Sequence, residues 1–75
     1  MSTVTNRWTR NAVIARLAAS EAIDHDTVST LRERAERRIE LLRVMSAVEE
    51  GRIDPDAATA RFDEIRAITA LPLSA

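Results

Sequence analysis

The sequence predicts an all-α fold of three helices, at about 7–22, 27–50 and 55–70, with a long central helix and an antiparallel hairpin of helices two and three. Three observations carry that expectation. The run Glu49-Glu50-Gly51-Arg52-Ile53-Asp54-Pro55-Asp56 reads as helix stop, turn and helix start. Glycine occurs once and proline twice in 75 residues, which suits helices joined by short turns better than a sheet. Apolar residues recur at three- and four-residue spacing through the middle of the chain. A chain of this length holds one domain, expected over residues 7–71, with a flexible N-terminus at 1–6 and a C-terminal tail at 72–75.

The first helix is rich in alanine, at Ala12, Ala15, Ala18, Ala19 and Ala22. Its larger apolar residues, Trp8, Val13, Ile14, Leu17 and Ile23, do not gather on one side of a helical wheel. Such a helix is expected to be covered on more than one side. Asp24-His25-Asp26-Thr27 is the connector, with Asp26 the preferred cap of the next helix and Asp24 the alternative.

The second helix, of 24 or so residues, would span roughly 36 Å. Val28, Leu31, Ala35, Ile39, Leu42 and Met45 form its continuous stripe, expected to face the core. Leu41, Val44 and Val48 form a shorter seam about a quarter turn away. Glu33 with Arg37 and Glu40 with Arg43 are spaced for pairing along the helix surface. Gly51 can close this helix in the left-handed conformation, and Asp54 can cap a third helix that has Pro55 at its first position. That helix carries Ala58, Phe62, Ile65 and Ile68 on one stripe, with Phe62 and Ile65 expected against the Leu41–Met45 region. Pro72 forbids further helix. The four residues between helices two and three leave room only for antiparallel neighbours.

Composition narrows the functions available. There is no cysteine, so neither a disulfide nor a thiolate metal site can form. The one histidine, His25, sits between two carboxylates but has no nucleophile or glycine-rich phosphate cradle near it in sequence, and a surface turn accounts for it. No catalytic residue, metal site, cofactor or small-molecule substrate is expected, and the chain is read as no enzyme. No apolar run reaches the roughly 18 residues of a membrane span, and the start lacks the pattern of a signal peptide, so a cytoplasmic protein is expected. All eleven basic residues are arginine, and the net charge is −1, which gives no global attraction to nucleic acid. Residues 1–45 carry eight Arg against six acids, and residues 46–75 three against six. That asymmetry permits head-to-tail or partner contacts.

Leu17-Ala18, Ile23, Thr27-Val28-Ser29 and Leu31 resemble the helix-turn-helix of bacterial DNA-binding regulators. There, a Val and a Leu pin the second helix from below. The resemblance covers about 18 residues and implies a DNA-binding alternative through Thr27, Ser29, Thr30, Arg32 and Arg37. Two positions depart from the pattern: Glu21 falls where it wants an apolar residue, and Ala22 where glycine usually turns the chain.

A three-helix monomer can shelter one stripe of helix two more readily than both. Leu41, Val44 and Val48 are therefore the expected protein interface, together with Trp8, which serves either as a binding anchor or as a lid over a small core. The function expected is that of an adaptor, inhibitor or regulator acting by helix–helix contact with itself, as a homodimer, or with a larger protein. A phage assembly or scaffolding component is a further alternative.

Overall fold

The computed structural model describes residues 8–70, the side chain of Ala70 excepted. The expected N-terminal segment 1–6, the stop at Pro72 and the tail 72–75 lie outside the described residues; the helix expected over about 7–22 starts later, at Arg10 after non-helical Trp8 and Thr9, and runs on to Asp24. Three helices fold into a bundle: α1 (Arg10–Asp24), α2 (Leu31–Glu49) and α3 (Pro55–Ala70). The described residues contain no strand.

Helix boundaries follow local capping chemistry. The Thr9 hydroxyl accepts from the Ala12 N–H at 3.1 Å and starts α1. α2 begins at Leu31, four residues later than expected, because Thr30 and Glu33 form a capping box. Glu33 N–H donates to Thr30 Oγ1 at 3.1 Å, and Thr30 N–H donates to Glu33 Oε1 at 2.9 Å. Asp26 caps no helix. Its Oδ1 accepts from the Val28 and Ser29 N–H groups at 2.9 and 3.0 Å and turns the chain within the connector. The central helix is consequently 19 residues, not 24, and little longer than α3 with 16.

The α2–α3 turn follows the sequence closely. Gly51 has φ 76°, Arg52 N–H donates to Ala47 O at 2.8 Å, and Gly51 N–H donates to Val48 O at 3.1 Å. Both bonds together are a Schellman closure, and the positive φ is open to glycine at little cost. Asp54 Oδ1 then accepts from Ala57 N–H at 2.8 Å to start α3 behind Pro55.

α2 and α3 form the expected hairpin across the Gly51 turn, but the closest packing in the bundle is between α1 and α3. α1 packs chiefly on α3, and α2 lies more loosely on both. Alanine explains this. Ala12, Ala15 and Ala19 of α1 and Ala58 of α3 are all buried, and side chains this short let two helix backbones approach closely. The two helices run in the same direction: Trp8 before α1 stacks on Phe62, while Ala22 and His25 at the other end share a hollow with Ile68 and Thr69. Phe62, Ile65, Ile23, Leu41, Val44 and Val48 fill the space left among the three helices. Covering α1 on several sides proves unnecessary. Its alanine face goes inward, and the larger Ile14 and Leu17 remain exposed.

Candidate helix-docking face

Two seams on α2 compete for the interior, and the shorter one wins. Leu41, Val44 and Val48 are 2%, 4% and 0% exposed in the single protomer. The expectation that they form an interface is therefore corrected: they are core residues, packed with Phe62, Ile65 and the α1 alanines. The long stripe expected inside faces out. Val28 and Leu31 are 60% and 76% exposed, Ile39 and Leu42 are about half exposed, Ala35 is exposed, and only Met45 packs against the core. The cause is geometric. α1 ends at Asp24 and its tight packing is with α3, so apolar partners reach only the second half of α2. There the seam at Leu41, Val44 and Val48 meets Phe62 best.

Trp8 acts as the lid. It is half-buried, its ring stacks on Phe62 with centroids 6.0 Å apart and planes at 17°, and the Arg16 guanidinium lies 4.9 Å above its centre. The ring is thus already engaged within the protomer, by Phe62 and by Arg16.

The first half of α2 is fastened by arginine. Arg37 Nη1 donates to Ser29 Oγ at 2.7 Å and to Asp26 Oδ2 at 3.3 Å. Arg38 donates to Ser20 Oγ at 3.2 Å and pairs with Asp24. The carboxylate of Asp26 is nearly out of contact with solvent, and its pKa is lowered from 3.8 to about 2. The Ser29 hydroxyl contributes most, then the Ser29 and Val28 N–H groups, with the Arg37 charge adding to them and desolvation opposing. Further along, Glu40 pairs with Arg61 of α3. The expected Glu33–Arg37 and Glu40–Arg43 pairs are thus replaced: Glu33 belongs to the cap, Arg37 to the connector, and Glu40 to α3. Within α2, Arg32 pairs with Glu36 at 3.8 Å, both widely exposed. Such a pair contributes little.

Asp24, His25 and Asp26 diverge. The carboxylates turn to Arg38 and Arg37, and His25 Nδ1 lies 3.0 Å from Glu21 O. Among the described residues no group of three or more His, Asp or Glu could hold a metal ion. Val28 and Leu31, which the helix-turn-helix pattern places beneath its second helix, are both exposed. The residues offered for DNA contact divide: Thr30 caps α2, Ser29 and Arg37 hold the connector, and Thr27 and Arg32 are exposed.

The remaining surface feature is the outward side of α2. Leu31, Ala35, Ile39 and Leu42 run along it. Beside Leu31 and Ala35 a shallow hollow is walled by Ile23, Asp24, Arg34 and Arg38, in which Arg34 Nε is buried without a hydrogen-bond partner. Leu17 of α1 borders a second hollow, which shares Asp24 with the first. No described helix is long and apolar enough to cross a membrane. Comparisons with protein-family models, with curated proteins and with solved structures found no match.

Proposed function

We propose that this chain is a small non-enzymatic binding protein of the cytoplasm, an adaptor, inhibitor or regulator that works by helix–helix contact. Its contact surface is the outward face of α2. The observation that supports this reading is the run of exposed aliphatic side chains, Leu31, Ile39 and Leu42, aligned along one side of one helix. Single exposed aliphatics are ordinary; an aligned set on a chain of 75 residues is the signature of helix-in-groove or helix-on-helix recognition.

Site-specific photo-crosslinking tests it. A photoreactive side chain at position 42 in producing cells should yield an adduct that Ile39→Glu abolishes. The same group at Asp63, an exposed polar position of α3, should yield none. Absence of any adduct at position 42 would remove the reading.

A further inference from the structure

We propose that the occupant of this face is a second copy of the chain, docked antiparallel across α2. This rests on the reading of α2 as a docking face and adds the identity of the partner and the register. Alternating steps of three and four residues mark one straight seam on a helix: Arg32, Ala35, Ile39, Leu42, Ser46 and Glu49. Every one of the six is exposed. This is the spacing by which one helix meets another along its length.

The chemistry of the seam is self-complementary in one direction only. Place a twofold axis on the outward face at the level between Glu40 and Leu41. Ile39 then meets Leu42 of the second copy, Ala35 meets Ser46, and Arg32 meets Glu49, each contact repeated by symmetry. The centre is large and apolar, the next layers are small, and the ends are ion pairs. On one flank, Glu36 approaches Arg43 of the second copy, a further pair of opposite charges. A parallel arrangement in register would instead set Arg32 on Arg32 and Glu49 on Glu49.

The charge along α2 points the same way. Residues 31–38 carry four Arg against two Glu, and residues 39–50 one Arg against three Glu. The last turn of α2 holds no basic residue. This gradient runs against the helix macrodipole, which favours acids at the start and bases at the end. An antiparallel second copy turns that unfavourable gradient into attraction, and the two macrodipoles then oppose each other favourably. The seam is short: at 1.5 Å per residue α2 is about 28 Å long, and ordinary stable interfaces bury about 800 Å² on each side. The dimer is therefore weak and rapidly reversible.

Sedimentation equilibrium over a range of concentrations, with helicity checked by circular dichroism, tests the pairing. The full chain should pass reversibly from monomer to dimer. Ile39→Glu, at a half-exposed position that the fold does not need, should leave a folded monomer. Arg32→Glu and Glu49→Arg should each weaken the dimer roughly tenfold at low salt. The double variant should restore it, because the reversed charges face each other again. A chain monomeric throughout the range, a dimer indifferent to Ile39→Glu, or a double variant no better than the singles would overturn the proposal. A monomeric chain that still gives an adduct with another protein at position 42 overturns the second copy while leaving the docking face standing. A monomer with no adduct removes both.

Discussion

From Leu41 to Val48, α2 is held by aliphatic side chains that vanish into the bundle; from Leu31 to Glu40 the same helix has no buried residue and is held by guanidinium groups. The first attachment is non-directional and scales with the apolar area removed from water. The second depends on a few aimed hydrogen bonds from Arg37 and Arg38 to Asp26, Ser29, Ser20 and Asp24. Arginine ties fix the height and rotation of the first half of α2 without covering it. That leaves its aliphatic residues, Leu31 and Ile39, outside while the helix stays in place. A helix can thus be firmly positioned and still present an apolar face, provided that its fastening is polar and lies to one side.

Perturbing the two halves should give different outcomes. The largest effect belongs to the aliphatic half. Phe62 is fully buried against Leu41, Val44 and Val48, and Phe62→Ala should cost about 3–5 kcal/mol. Native domains are stable by roughly 0.05–0.15 kcal/mol per residue, so that loss removes much of what holds the fold. Urea unfolding followed by Trp8 fluorescence measures it. A cost below that of an ordinary surface change would mean that the core is not centred on α3.

The polar half should respond to acid. The carboxyl of Asp26 is lowered to about 2 from an unfolded value of 3.8. Its ionised form is therefore favoured by folding, and the stabilisation is complete above about pH 4. It is lost as pH falls from about 4 through about 2. In that window amide protection in the connector and first turns of α2 should fall, measured by hydrogen exchange, before protection around Val44 and Val48. Asp26→Asn should produce the same local loosening at neutral pH. Simultaneous loss of both halves would show that the two attachments are one cooperative unit. The smallest effect is expected at the cap: Thr30→Ala removes the acceptor for Glu33 N–H and should cost about 1 kcal/mol, read as a modest shift in the urea midpoint.

What the sequence disclosed depended on how far each signal reaches along the chain. The turn from Glu49 to Asp56 was legible because Gly51, Asp54 and Pro55 act on their immediate neighbours, and α3 begins at Pro55 as expected. The start of α2 was also written locally, in Thr30-Leu31-Arg32-Glu33, but Asp26 offered a competing cap. What engages Asp26 is chiefly a local turn, in which its Oδ1 accepts from the Val28 and Ser29 N–H groups, and Arg37, eleven positions on, adds to it; the residue types alone do not distinguish that turn from a helix cap. Which seam of α2 turns inward was not legible, because both have helical spacing and periodicity measures alignment rather than direction. The longer stripe was the natural choice. The decision lay in α1, where Ala12, Ala15 and Ala19 bring that helix tightly onto α3, and the buried residues of α2 all fall in its second half. The exposed apolar residues of α2 are Leu31, Ile39 and Leu42, beside Ile14, Leu17, Val28 and Ile68 elsewhere on the molecule, and not Leu41, Val44 and Val48.

That exchange of faces is tested most directly by placing the same charge on either side of α2. Val48→Asp and Leu42→Asp, compared by thermal unfolding in dilute solution where self-association is negligible, differ only in which seam receives the carboxylate. Val48→Asp should abolish the cooperative transition, because it sets an unpaired charge in the core, and Leu42→Asp should unfold close to the parent chain. A folded Val48→Asp beside an unfolded Leu42→Asp would contradict the account.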